Sequence, residues 1–116
     1  MKWEVVTGLA IAACLVSLST GSALAQDAKA LYQKECAKCH GDTGAGDGSM
    51  APKLKDKPSD WTKGGGGLKD LDDAKIADSI RSGGPAIGRS KAMPAYKKLS
   101  DAEVQSLVTY VKALKK

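Results

Sequence analysis

Phenylalanine is absent from this chain of 116 residues, and histidine occurs only once, as His40. Aromatic residues make up 4% of the sequence, so the folded chain has few large apolar side chains from which to build a core. A small domain with so few apolar side chains for its core usually needs a covalent cross-link or a bound metal to be stable. The single histidine also excludes acid–base chemistry that depends on a pair of histidines.

The N-terminal segment has the pattern of an export signal. Lys2 precedes an apolar run from residue 5 to residue 18, and residues 22–25 (Ser-Ala-Leu-Ala) supply an Ala-X-Ala cleavage site. We therefore predict that residues 1–25 are a cleaved secretory signal peptide and that residues 26–116 form a single domain. Export would place this domain in the periplasm of a bacterium.

Two alternatives to ordinary cleavage remain open. The apolar run is shorter than the roughly 20 residues that span a bilayer, but an uncleaved signal could still act as an anchor. Residues 11–13 followed by Cys14 also resemble a lipobox, in which the cysteine is lipidated. We expect membrane association only in these two cases. Ordinary cleavage removes Cys14 and leaves Cys36 and Cys39, so no disulfide framework is available.

The charge balance is basic. The chain has 18 basic and 13 acidic residues, which gives a net charge of +5. Removal of the signal peptide takes one lysine and one glutamate, so the net charge does not change. A basic surface steers a protein toward acidic partners, here redox proteins with acidic docking surfaces. Nucleic acid is not an expected partner, because the chain is exported and its lysines are scattered.

The apolar pattern indicates an all-α fold. We predict three main helices, at about residues 27–38, 70–82 and 100–115. Ser100 and Glu103 form a capping box at the start of the last helix. In the second helix Ala74, Ala77 and Ile80 share one face. The long stretch between the first two helices is rich in glycine and proline, which predicts a loop, and no strand pattern of comparable strength occurs.

The motif that carries the chemistry is Cys36-Ala-Lys-Cys39-His40. A redox dithiol of the thioredoxin type would need a strand and helix framework, which the pattern does not predict. Tetrahedral zinc needs four ligands, and the motif supplies three, so a carboxylate would have to complete the set. Covalent haem attachment needs two cysteines and an adjacent histidine that binds the iron, and all three are present. The motif therefore favours one covalent haem c, attached through Cys36 and Cys39.

The motif also carries a resemblance to a known family. Together with residues 93–96 (Met-Pro-Ala-Tyr) and 99–104 (Leu-Ser-Asp-Ala-Glu-Val), it resembles the class I c-type cytochromes, which are small soluble mono-haem proteins. The resemblance covers residues 28–114 and implies a cytochrome c fold, in which helices and loops wrap around one covalent haem. We also expect the protein to be a monomer.

The resemblance implies a role for each residue of the site. Cys36 and Cys39 would be the thioether anchors, His40 the proximal iron ligand and Met93 the distal ligand. Met50 is the competing methionine. It follows His40 by only ten residues, whereas Met93 follows a whole helix and can approach the opposite face of the haem.

Three further positions match the family less specifically. Pro52 would accept a hydrogen bond from His40 through its carbonyl oxygen, and Leu54 would contact the haem. Trp61 would either donate its indole N–H to a haem propionate or simply cover the core. The run Gly64–Gly67 departs from the family pattern, and the propionate side of the haem is therefore loosely specified.

Two strong axial ligands leave the iron no open position for a substrate. We therefore expect a one-electron carrier between protein redox partners and no enzyme activity or small-molecule substrate. Five lysines lie nearest in sequence to the two ligands and could ring the haem edge: Lys34, Lys38, Lys91, Lys97 and Lys98. Two alternatives stay open. One is a haem enzyme or gas sensor in which Met93 is labile, and the other is the electron-entry subunit of a larger oxidoreductase.

Overall fold

The computed structural model describes Gly8 and residues 20–116. Helix α1 spans Thr20–Glu35, α2 spans Ala37–His40, α3 spans Asp73–Ser82 and α4 spans Asp101–Leu114. Short 3-10 turns occur at Ala51–Lys53, Gly66–Leu68 and Gly84–Ile87. This part of the chain contains no strand, which confirms the predicted all-α, cytochrome c type of fold. Cys14 and most of the predicted signal peptide lie outside the described residues.

Helices α1 and α4 pack against each other and form the core. Tyr32 of α1 is fully buried, and its ring lies 5.0 Å from the ring of Tyr110, tilted by 45°. Leu107 and Val108 of α4 are buried beside it. The Tyr32 hydroxyl donates a hydrogen bond to the carbonyl of Gly41 at 2.7 Å. The same tyrosine therefore joins the two helices and fixes the segment that follows the cysteine motif.

The start of α4 has the predicted capping box. The Ser100 hydroxyl accepts a hydrogen bond from the Glu103 backbone N–H at 3.1 Å, and the Glu103 carboxylate accepts one from the Ser100 N–H at 3.0 Å. Two otherwise unpaired backbone donors are satisfied in this way. The apolar stripe that follows is buried, with Val104 and Val111 at its two ends.

Helix α3 begins at Asp73, a few residues after the predicted start at about residue 70, and Asp72 is its N-cap. The Asp72 carboxylate accepts a hydrogen bond from the Lys75 backbone N–H at 2.8 Å. The buried face differs from the predicted one: Ile76, like Ala77 and Ile80, is buried, whereas Ala74 is exposed. None of the helices within the described residues is long and apolar enough to cross a membrane.

The glycine-rich loop between α2 and α3 is held against the C-terminus. The Trp61 backbone N–H donates to the Gly44 carbonyl at 2.8 Å, and the Trp61 carbonyl accepts from Lys116 at 3.0 Å. Gly44 has a φ of 81°, and a Cβ there would lie 2.7 Å from the Trp61 ring. Only glycine lets the loop pass this close to the indole. Trp61 is thereby fixed in the wall of the site.

Candidate functional site

A largely apolar cavity of about 310 Å³ lies between the cysteine motif and the segment around Met93. Its walls also include Leu54 and Trp61 from the loop, Ile80 from α3 and Leu107 from α4. The cavity therefore receives side chains from all parts of the described fold. An apolar concave site with a few polar groups is the usual form of a cofactor pocket.

The cysteine motif lies at one end of this cavity, on the short turn where α1 gives way to α2. The Cys36 N–H donates to the Tyr32 carbonyl at 2.8 Å, and the His40 N–H donates to the Cys36 carbonyl at 3.0 Å. These bonds wind the motif into one helical turn, so Cys36, Cys39 and His40 all line the cavity. Gly41, with a φ of 80°, then ends the turn.

His40 has a special environment. Its ring stacks on the Trp61 ring, with 4.6 Å between ring centroids and 26° between planes. Its Nδ1 atom is buried and has no hydrogen-bond partner within the part of the chain that the structure describes. Burial lowers the pKa of His40 to about 4, so the imidazole is neutral at pH 7. A neutral imidazole is the form that binds a metal, whereas a structural core histidine would normally have its nitrogens paired.

The structure also bears on the two other candidate functions of the motif, a redox-active dithiol and a zinc site. Burial, with the nearby Glu35 carboxylate, raises the pKa of the Cys36 thiol to about 12. Reactive dithiols need the opposite shift, because the thiolate is the nucleophile. Among residues 27–116, whose side chains the structure describes, no three His, Cys, Asp or Glu side chains are grouped so that they could hold a metal ion. The cavity fits a covalent haem better than it fits a redox dithiol or a zinc ion.

Met93 lies in the cavity wall, whereas Met50 does not. The Met93 carbonyl accepts a hydrogen bond from the Gly84 N–H at 3.1 Å, which joins its loop to the end of α3. Gly83 has a φ of 87°, and a Cβ there would lie 2.9 Å from the same carbonyl oxygen. Met50 is 38% exposed and precedes the 3-10 turn Ala51–Lys53. Of the two methionines, only Met93 is in a position to reach a cavity-bound cofactor.

A hydrogen bond that the sequence does not indicate ties the Met93 loop to the cysteine motif. The Tyr96 hydroxyl donates to the carbonyl of Glu35 at 2.9 Å, immediately before Cys36. The Tyr96 backbone N–H donates to the Ile80 carbonyl at 2.9 Å. Burial raises the pKa of Tyr96 to about 12, so its hydroxyl remains a donor at neutral pH. Tyr96 thus joins the two sides of the cavity.

The remaining predicted site residues fall into two groups. Leu54 and Trp61 line the cavity. Pro52 is exposed and does not line it. The predicted hydrogen bond from His40 to the Pro52 carbonyl is not formed, because Nδ1 of His40 has no partner.

At one edge of the cavity lie three residues that the sequence does not single out, namely Ser59, Gly67 and Arg89. They come from two loops, and no local motif connects them.

Comparison with known proteins gives a consistent match. The family model described as cytochrome c oxidase, cbb3-type, subunit III matches residues 23–111. The cbb3-type cytochrome c oxidase subunit CcoP of Azospirillum sp. (strain B510) is 38% identical over 90 residues, which cover 72% of this chain and 26% of that protein. CcoP of Azospirillum brasilense is 33% identical over 97 residues, which cover 80% of this chain and 29% of that protein. The chain thus spans little more than a quarter of the length of the curated relatives it matches.

Proposed function

This chain belongs to the c-type cytochrome family described as cytochrome c oxidase, cbb3-type, subunit III, and from that premise we propose that it is a one-electron carrier. Its cofactor is covalently bound haem c. We propose that Cys36 and Cys39 form the thioethers and that His40 and Met93 are the two axial ligands of the iron. One observation carries this proposal: both cysteines, His40 and Met93 line the same apolar cavity although Met93 is distant in sequence.

Haem c supplies a one-electron couple when it is bound. The protein controls that couple through its ligands and walls: a methionine opposite a histidine raises the reduction potential, and apolar side chains such as Leu54 and Leu107 exclude water. With His40 and Met93 both bound, no axial position is free for a substrate. Electron transfer, without chemistry on a bound substrate, is the function that this arrangement supports.

The experiment that tests this function is an optical spectrum of the reduced, haem-loaded protein before and after exposure to carbon monoxide. A closed site predicts no change, because both axial positions are filled. Prompt binding of carbon monoxide would mean that the distal position is open or labile. That result would overturn the carrier function and favour the haem enzyme or gas sensor.

A second candidate function is supported by the comparisons. Both relatives are named as subunits of a cbb3-type cytochrome c oxidase, although they are several times longer than this chain. We propose that this chain passes electrons into a larger oxidoreductase as one of its subunits. Gentle purification of the tagged chain from its native host distinguishes the two cases. A subunit elutes together with a stoichiometric haem-containing complex, whereas a free carrier elutes at the size of one chain.

We propose that the chain is exported to the periplasm and matures by cleavage after Ala25. The predicted signal in residues 1–25 supports this proposal, and lipidation of Cys14 or an uncleaved anchor are the alternatives. The intact mass of the purified chain distinguishes the three forms. A mature protein that begins at Gln26 fits cleavage, and a chain that begins at a diacylated Cys14 or at Met1 contradicts it.

A further inference from the structure

One edge of the apolar cavity is polar and is built from Ser59, Gly67 and Arg89. The Gly67 backbone N–H donates a hydrogen bond to the Ser59 hydroxyl oxygen at 2.9 Å. A Cβ on Gly67 would lie 2.5 Å from the Nη1 atom of Arg89 and 2.8 Å from the Ser59 oxygen. The guanidinium and the hydroxyl therefore converge on a position where only glycine fits. Because Ser59 accepts from Gly67, its own O–H remains available as a donor.

The loop that carries Arg89 is fixed on both sides. The Arg89 N–H donates to the Gly84 carbonyl at 2.9 Å, next to the end of α3. The neighbouring Ser90 hydroxyl donates to the Asp56 carboxylate at 3.1 Å, which joins the loop to a second segment of the cavity wall. The guanidinium thus extends from a backbone that is anchored at two points.

Arg89 differs from the other arginine of the chain in its partners. Arg81 forms an ion pair with Asp101 at 3.1 Å. Arg89 has no carboxylate within ion-pair distance among residues 27–116, whose side chains the structure describes. Of the charged groups that line this part of the cavity, Asp56 is bonded to Ser90 and Lys57 adds a second positive charge. Arg89 and Ser59 are both exposed, so this positive charge lies where the edge of the cavity meets solvent.

We infer that the Arg89 guanidinium, together with the Ser59 hydroxyl, binds a propionate of the haem. This inference rests on the haem c of the proposed function. The propionates are the carboxylates that haem brings into the cavity, and a carboxylate cannot lie unpaired against apolar walls such as Leu68 and Leu71 without a large cost. A guanidinium matches a carboxylate with two parallel hydrogen bonds.

The inference also gives the glycine run a function. Gly67 does not have a positive φ, so an alanine there would be compatible with the backbone conformation. The need for glycine is instead steric, because a side chain would displace the guanidinium. The departure of Gly64–Gly67 from the family pattern is then explained, at Gly67, by the close approach of Arg89.

The test is the pH dependence of the reduction potential in two matched variants, Arg89→Gln and Arg81→Gln. Both remove one positive charge, so they have the same net charge. We expect Arg89→Gln to raise the apparent pKa of the propionate by about one unit or more, because the opposite charge that favours ionisation is lost. The potential at pH 7 should fall, since loss of a nearby positive charge favours the oxidised form. Arg81→Gln should change neither quantity, and Arg89→Lys should restore part of the loss.

Two further variants keep the test decisive if Arg89→Gln does not load haem. Gly67→Ala leaves Arg89 in the chain but fills its position, and Ser59→Ala removes only the hydroxyl. Both should raise the propionate pKa in the same direction. Asp56 and Lys57 face the same edge, and Glu35 and His40 line the cavity elsewhere, but all four are unchanged in every variant.

Equal pH profiles for Arg89→Gln and Arg81→Gln would overturn the inference, because net charge alone would then explain the change. An unchanged propionate pKa in Gly67→Ala would also overturn it. These failures differ from failure of the proposed function. Carbon monoxide binding by the natural sequence would refute the closed axial site and leave the difference between the two arginines intact.

Discussion

His40 has two contacts that set its chemistry: Trp61 stacks on its ring, and the apolar cavity surrounds it. An imidazole nitrogen that is buried without a hydrogen-bond partner typically costs about 1–3 kcal/mol of folding free energy. A chain that keeps such a residue must recover that cost elsewhere. We propose that binding of haem, with His40 as a ligand of its iron, is what recovers this cost.

Met93 provides the residue-scale prediction. Substitution Met93→Ala removes the side chain that lines the cavity opposite the motif, so the reduced protein should bind carbon monoxide promptly. Met50→Ala is the matched control, because Met50 is exposed and lies outside the cavity wall. Optical spectra before and after carbon monoxide measure the effect. Spectra that are the same for both variants and for the natural sequence would show that Met93 does not bind the iron.

The cysteine motif could be predicted at the scale of single residues because its chemistry is local. Cys36, Cys39 and His40 lie within one helical turn, and their spacing alone indicates covalent haem. Arg89 and Ser59 could not be found in this way, since they meet only through the folding of two loops around Gly67. The bond from His40 to Pro52 was expected from resemblance and is not formed.

At the scale of elements, the helices were predictable where their signals are local. The capping box of Ser100 and Glu103 gave the start of α4 correctly. The predicted first helix, at about residues 27–38, is instead two helices, because the chain breaks its helical pattern at Cys36. The local helix propensity of these residues does not predict the break at Cys36.

The loop that bears Met93 is the element on which closure of the site depends. Tyr96 joins it to α1 through one hydrogen bond to Glu35, across 61 positions of sequence. Tyr96→Phe keeps the ring and removes the donor, so it should lower the free energy of unfolding by about 1–2 kcal/mol. The loop should also open more often, and carbon monoxide should bind measurably where the natural sequence excludes it.

Tyr110→Phe is the control for this variant. Its ring also packs on a buried partner, Tyr32, but its hydroxyl makes no hydrogen bond within the described part of the chain. Urea unfolding and the rate of carbon monoxide binding measure the two effects. If Tyr96→Phe loses stability but still excludes carbon monoxide, the hydrogen bond supports the fold without holding the methionine loop.

At the scale of the whole molecule, the fold brings two lysine groups together. The hydrogen bond between Tyr96 and Glu35 joins the segment that precedes Lys97 and Lys98 to the segment that follows Lys34. All of these lysines are exposed, as are Lys38 and Lys91. An exposed ion pair such as that of Lys34 with Glu35, at 3.7 Å, contributes little to stability. The positive charge is therefore free to act on partners that approach the cavity.

Salt dependence of electron transfer tests whether these lysines form a docking surface. With an anionic oxidant such as hexacyanoferrate(III), we expect the rate to fall as ionic strength rises from about 0.01 M to 0.15 M, since the screening length shortens from about 30 to about 8 Å. Net charge alone would produce part of this fall. The double variant Lys97→Glu/Lys98→Glu should therefore lose more of the salt dependence than a control that changes net charge equally.

Lys29→Glu/Lys75→Glu is that control, because both lysines are exposed and neither lines the cavity. A docking surface predicts a rate at low salt that is clearly lower for the Lys97 and Lys98 variant than for the control. The physical reason is distance: a charge beside the site of electron transfer acts on the oxidant at contact, whereas a distant charge is screened. Equal rates for the two variants would mean that only the net charge steers the oxidant. The protein would then have no preferred docking edge for small anions.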